Sequence, residues 1–342
     1  MKAVIFERHG GPDVLKYRDV PEPMVAPDGA LVRVRACGLN HLDLFSREGR
    51  LPHAIALPHI SGSEVSGDVE RVGELVTNVT PGERVVIAPY LFCGVCENCL
   101  AGEETTCLSG DVLGRRSDGG YAEYVSVPAR QLITLPENVS YQAGAAVTLS
   151  TVTAWHMLVT RARLQPGEDV LVLAAGSGVG SAAVQIAKQS GARVIATAST
   201  DEKLRRAEQL GADFVVNYAE NDFRTEVRRI TAKRGVDVVV EHVGESTWQQ
   251  SIGCLARDGR LVTTGATTGP TGAINIDRLF GAQLSILGSF GGTRSELRKV
   301  LKMVAEGRIQ PVIHATYPLE QAAQAQRVMQ ERAQFGKLLL LP

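Results

Sequence analysis

Four cysteines, Cys93, Cys96, Cys99 and Cys107, stand in the spacing C-x2-C-x2-C-x7-C inside PYLFCGVCENCLAGEETTC. Short turns let thiolates this close in sequence converge tetrahedrally on one Zn²⁺ at about 2.3 Å each. Four sulfurs leave no open position, so such a site shapes a loop and carries out no chemistry itself. The alternative, disulfides, needs an oxidising compartment, and the opening run MKAVIFERHG has neither the long apolar core nor the cleavage site of a signal peptide. A second chemical segment follows at DVLVLAA, which runs into Gly176, Ser177, Gly178, Val179 and Gly180 and then into the helical pattern SAAVQIAK. Glycine permits a sharp strand-to-helix turn and lets backbone N–H groups approach a pyrophosphate at the helix N-terminus. The strict G-x-G-x-x-G spacing is not met: with Gly180 as the helix-packing glycine, the two preceding positions are Ala175 and Ser177.

The elements that must hold these segments divide into two rhythms. At 342 residues the chain exceeds the usual size of one hydrophobic core, so two domains are expected. Residues 1–150 carry short alternating stretches broken by glycine and proline. In ALVRVRACGL, Val32, Val34 and Ala36 alternate with Arg33 and Arg35, the pattern of half-buried antiparallel strands. Over 151–287 continuous apolar runs (DVLVLAA, ARVIATA, VDVVVE, GRLVTTG, LSILGS) alternate with helices such as DEKLRRAEQLGA. Strands buried on both faces and separated by helices predict an α/β, doubly wound parallel sheet. The tail, 288–342, holds the amphipathic SELRKVLKMVAEG and a last strand, KLLLLP.

Hydrophobic content of 44% and a formal charge of −1 fit a soluble, cytoplasmic protein with a small-molecule substrate. They offer no field for nucleic acid or an anionic membrane. No apolar run approaches the roughly 20 residues that span a bilayer. Cys37 and Cys254 lie in apolar contexts and read as buried, inert thiols.

The cysteine lobe, the pattern MKAVIFERHGGPDVL and the glycine-rich segment AAGSGVGSAA together resemble the medium-chain dehydrogenase/reductase superfamily over essentially the whole chain. That resemblance implies a GroES-like β-barrel catalytic domain, completed by the tail, and a Rossmann domain binding a nicotinamide cofactor. It also implies a homodimer or homotetramer joined through the apolar edge strand LSILGS. The superfamily contains zinc-dependent alcohol dehydrogenases and zinc-free quinone or enone reductases.

Residues at the family's catalytic zinc positions separate these chemistries. ACGLNHLD places Asn40 where the first cysteine ligand would stand and keeps Asp43; Gly62-Ser63-Glu64 places Ser63 at the histidine; TLSTVTAW, anchored on Thr153 and Trp155, places Leu149 third. Amide, hydroxyl and alkyl groups are a poor shell for Zn²⁺. An irregular site from His41, His59 and Glu64 is the alternative, whereas His59 and His156 read as structural. Leu42 and Phe45 occupy the positions of the alcohol proton relay, so an alkoxide would have neither Lewis acid nor proton exit. The expected activity is therefore hydride transfer from NADPH to a quinone, enone or related activated carbonyl. Asn40 and Ser63 would donate to the developing oxyanion, the alternative being that Asn40 only orients the nicotinamide ribose, and Thr153 would lie near the nicotinamide. Water, Tyr90 or His41 would deliver the proton. His41 is also expected beside the pyrophosphate.

At the end of the second nucleotide-domain strand stand Ser199 and Thr200, with Asp201 already in the next helix. An acidic residue at the strand end marks NAD sites. Its displacement, with Lys203 one turn on and, by the resemblance, Tyr218 beside Ser199, points to NADP(H). Two rival readings remain: an alcohol dehydrogenase, because the cysteine lobe is usually missing from zinc-free relatives, and a non-catalytic NADPH-binding structural or regulatory protein.

Overall fold

A computed structural model describes all 342 residues, Met1–Pro342. The chain forms two compact units, Met1–Leu149 with Gly292–Pro342, and Ser150–Gly291.

The first unit is built on a seven-stranded sheet whose centre is the long strand Gly29–Gly38. Its burial alternates as the sequence pattern requires: Val32, Val34 and Ala36 are in the core. Arg33 and Arg35 face outward and pair with Glu70 and Asp68 on the neighbouring strand Glu64–Val72. Such exposed pairs contribute about 0–1 kcal/mol each, so the strand is held by its apolar face. The register aligns Gly38 with Glu64 on one side and with Leu339 of the C-terminal strand Lys337–Leu341 on the other. Two early strands and the last strand of the chain therefore meet at Gly38. A side chain there would force Glu64 out of place, since an added Cβ would sit 2.3 Å from Glu64 Oε2.

The second unit is a six-stranded parallel sheet. Its strands are β1 (Asp169–Val172), β2 (Arg193–Ala198), β3 (Phe214–Asn217), β4 (Val236–Glu241), β5 (Leu255–Thr263) and β6 (Ser285–Gly288), in the spatial order β3-β2-β1-β4-β5-β6. Thus the doubly wound sheet expected from the apolar runs is present. The strand order reverses direction between β1 and β4, and in open α/β sheets ligands bind in the crevice at that switch point. Gly288 still pairs with Thr263, so the return of the chain to the first unit falls at Gly292, beyond the residue 288 suggested by composition. No helix is long and apolar enough to cross a membrane.

Candidate active site

The four lobe cysteines converge. Cys93 Sγ lies 3.9 Å from Cys99 Sγ, and Cys96 Sγ lies 3.4 Å from Cys99 Sγ and 3.9 Å from Cys107 Sγ. Four sulfurs at about 2.3 Å from a tetrahedral metal would be about 3.8 Å apart, so the donor set fits zinc. No cysteine is in a disulfide. Backbone N–H groups already solvate the sulfurs, Cys96 N donating to Cys93 Sγ and Cys93 N to Cys107 Sγ, both at 3.3 Å. Hydrogen bonds from the Leu108 and Cys99 backbone pull the Cys96 thiol down to about 6, whereas burial pushes the Cys99 thiol up to about 12; a bound cation would draw both toward the thiolate. Arg294 ties the lobe to the C-terminal part of the same unit. Its backbone N–H and Nε donate to Glu104, Nη1 donates to Arg130 O, and the guanidinium lies 4.7 Å from the Phe92 ring.

A second constellation forms where Gly38, Glu64 and Lys337 meet. Asn40 caps the helix His41–Glu48 in extended conformation, and its backbone N–H donates to Asp43 Oδ2 at 2.7 Å. Asp43 is fully buried and also accepts from Gly62 N at 3.2 Å and Tyr121 Oη at 3.0 Å. One carboxylate thus fixes Asn40 and the residue preceding Ser63 with respect to each other. Burial dominates its titration and pushes the carboxyl up to about 6, against the hydrogen bonds from Asn40 and Tyr121. Gly62 is obligatory here: φ is +111°, and a Cβ would meet Tyr121 Cδ1 at 2.6 Å and Cys37 Sγ at 2.8 Å.

Lys337, a residue the sequence reading did not single out, reaches into the middle of this group. Its buried Nζ donates to Leu39 O at 2.5 Å and Asn40 Oδ1 at 2.9 Å, and lies 2.6 Å from Glu64 Oε2. Glu64 is also fully buried, and its Oε1 accepts from Leu149 N at 3.0 Å. The three family zinc positions are therefore brought together here through Asn40, Glu64 (next to Ser63) and Leu149. Ser63 is fully buried, and its Oγ has no hydrogen-bond partner. The donors at these positions do not fit a catalytic zinc, and an ammonium bonded to Asn40 opposes a second cation beside it. The irregular alternative also fails to assemble: apart from the lobe cysteines, no group of three His, Cys, Asp or Glu side chains converges. His59 instead meets Gly114 O at 3.0 Å and packs edge-on against Phe6. Burial raises the Cys37 thiol well above its ordinary value and Cys254 to about 12, which leaves both unreactive.

In the second unit, β1 leads into the turn Gly176-Ser177 and a helix, α1 (Gly178–Gln189). Ser177 Oγ caps α1 by accepting from Gly180 N at 2.8 Å. Gly180 packs so closely that a Cβ would lie 2.3 Å from Ala174 O, which makes it the helix-packing glycine. Val179 belongs to the first turn of α1. A pyrophosphate at this N-terminus would meet free backbone N–H groups and the positive end of the helix dipole. Across the switch point, His242 Nε2 lies 3.0 Å from Ser177 Oγ.

Strand β2 ends at Ala198, followed by Ser199 and by Thr200, whose Oγ1 caps α2 (Asp201–Gln209) by accepting from Lys203 N at 3.3 Å. Asp201 is held by Asn217 Nδ2 at 3.2 Å. Tyr218 N donates to Ala198 O at 3.1 Å, so the half-exposed Tyr218 stands beside the strand end that precedes Ser199. Thr153 is buried on the helix Ser150–Trp155, which continues as a π-helical turn, His156–Arg161. His41 begins the helix that Asn40 caps, and its ring packs against Phe45 at 6.2 Å.

Comparison with known proteins supplies the family. Residues 26–137 match the alcohol dehydrogenase GroES-like domain, and residues 178–306 match the zinc-binding dehydrogenase domain. The chain is 36% identical over 324 residues to an alcohol dehydrogenase of Geobacillus stearothermophilus, covering 94% of this chain and 93% of that one. It is 30% identical over 349 residues to the human quinone oxidoreductase, covering 100% and 98%. A solved NAD-dependent alcohol dehydrogenase superposes with a TM-score of 0.96 at 46% identity, each chain covered in full. The cobalt- and zinc-bound thermostable alcohol dehydrogenase from Pyrobaculum aerophilum gives 0.92 at 34%, covering 100% and 99%. With its GroES-like and Rossmann domains, the chain belongs to the medium-chain dehydrogenase/reductase superfamily and is an NAD(P)-dependent oxidoreductase.

Proposed function

We propose that this oxidoreductase reduces quinones, enones or related activated carbonyl compounds with NADPH, using no catalytic zinc. One observation carries the reading: Lys337 Nζ is bonded to the Asn40 amide at the position of the first zinc ligand. An ammonium can only donate, so the atom facing it must be Oδ1. The other end, Nδ2, has only a limiting 3.5 Å contact with Gly38 O, which leaves an N–H free to donate.

A bound dihydronicotinamide supplies the hydride. When it reaches the β-carbon of an enone, the C=C π pair moves toward the carbonyl and negative charge develops on oxygen. Asn40 Nδ2–H and Ser63 Oγ–H are the donors for that oxygen, oriented before the reaction begins. Lys337 holds the amide and adds positive charge behind it, while Asp43 keeps the Asn40 and Ser63 segments in register. A proton from solvent, Tyr90 or His41 then completes the reduction at the α-carbon. For NADPH over NADH, the support is the strand end: Ser199 and Thr200 replace the acidic residue, and Asp201 is in α2, bonded to Asn217. Lys203 and Tyr218 would join Ser199 around the 2′-phosphate.

The test is cofactor oxidation with a panel of enones, quinones and aldehydes, with alcohols in the reverse direction. The expected result is turnover of enones or quinones, faster with NADPH than with NADH. Alcohol oxidation exceeding both would favour the second reading, an alcohol dehydrogenase, which the retained lobe and the names of several relatives support. Pairing of two β6 edge strands into a homodimer, or a dimer of dimers, belongs to the same proposal. β6 ends the sheet, and Ile276, Phe280 and Phe290 are exposed in the segments flanking it; light scattering would give the mass.

A further inference from the structure

The turn after β4 carries a histidine that the proposed chemistry does not use. Glu241, the last residue of β4, is fully buried and accepts from Val243 N, Gly244 N, Thr247 Oγ1 and Ser251 Oγ at 2.6–3.1 Å. That hub fixes the backbone on either side of His242. The imidazole spans the switch point between β4 and β1 to reach Ser177 Oγ, and its other nitrogen, Nδ1, is shut off from solvent without a partner. Burial lowers its pKa to about 4, so the ring is neutral at neutral pH.

A neutral ring has one N–H. A buried N–H without an acceptor is rarer in native structures than an under-used acceptor, so the hydrogen belongs on Nε2, donating to Ser177 Oγ. Ser177 Oγ then accepts twice, from His242 Nε2–H and from Gly180 N–H. Its two lone pairs are occupied, and its own hydrogen must point away from both. Ser177 lies in the glycine-rich turn at the N-terminus of α1, where a pyrophosphate is favoured.

We propose that His242 is a positioning residue for the cofactor: through Nε2–H it aims the Ser177 hydroxyl at a pyrophosphate oxygen of the bound dinucleotide. The inference rests on dinucleotide binding in this turn.

It is tested by titrating NADPH and NADH separately against the full-length protein, following nucleotide fluorescence, with melting temperatures measured alongside. His242→Leu should raise the dissociation constant about 10-fold, the ratio for a hydrogen bond to a charged acceptor. Ser177→Ala should do the same, and the double variant should lose little more than either single one. Gln places its amide nitrogen near Nε2, whereas Asn places it near Nδ1. His242→Gln should therefore keep near-native affinity, and His242→Asn should behave like His242→Leu. Unchanged affinity in His242→Leu, additive losses in the double variant, or rescue by Asn in place of Gln would overturn the proposal. If the unmodified protein bound neither dinucleotide, the cofactor reading itself would fall.

Discussion

At the scale of single residues, the proposed chemistry turns on Asn40, Lys337 and Asp43. Asn40→Ala removes a donor from the developing oxyanion and should lower kcat on an accepted enone by roughly 100-fold, the order found for one oxyanion donor. Cofactor affinity should change little; unchanged kcat would remove Asn40 from the mechanism. Lys337→Met leaves Glu64 as a buried carboxylate without its 2.6 Å partner. Breaking such a pair costs about 3–5 kcal/mol, read as a lower urea midpoint, and adding Glu64→Gln should recover part of it. Asp43 gives a pH signature. Its folded pKa of about 6 exceeds the ordinary 3.8 of a free aspartate, so the folded chain holds the proton more tightly. The stabilisation from this group is then complete below about pH 4 and lost as pH rises through about 6, roughly 3 kcal/mol in all. The stability of the native protein relative to Asp43→Asn should accordingly fall between pH 4 and pH 7. A constant difference would mean that its hydrogen bonds balance burial, and a rising one that they outweigh it.

At the scale of elements, the cysteine lobe was legible because its ligands lie within 15 residues and their spacing already encodes the turn. The strand-turn-helix at Ser177 and the displaced Asp201 were readable for the same local reason. Lys337 was not. It contacts Asn40 across 297 residues of sequence, and a lone lysine before LLLL looks like an ordinary strand end. Only the pairing of Lys337–Leu341 with Gly29–Gly38 brings it under the site. Asp43 was noticed as retained, but its bridge to Gly62 and Tyr121 depends on how two antiparallel strands are joined. His242 was missed because no periodicity marks a residue in the turn beyond β4. Gly62→Ala should test the bridge: its Cβ would require Tyr121 or Cys37 to move, with an expected cost of about 2–4 kcal/mol and a loss of turnover as Ser63 shifts. A neutral effect on both melting temperature and rate would show that this segment is not under the constraint described.

At the scale of the molecule, the two composition rhythms became two compact units, and a closed cysteine lobe coexists with a constellation at Asn40, Ser63 and Leu149 whose donors are a poor shell for zinc. On the proposed reading the lobe shapes structure, whereas the chemistry relies on fixed hydrogen-bond donors backed by a buried ammonium. That division of labour makes metal content the most direct test. Zinc per chain should be measured by elemental mass spectrometry on protein purified without added metal. One is expected, lost together with thermal stability in Cys99→Ser while Asn40 variants keep it. Two zinc ions per chain would mean that the pocket binds metal after all, and the alcohol dehydrogenase reading would replace the one proposed.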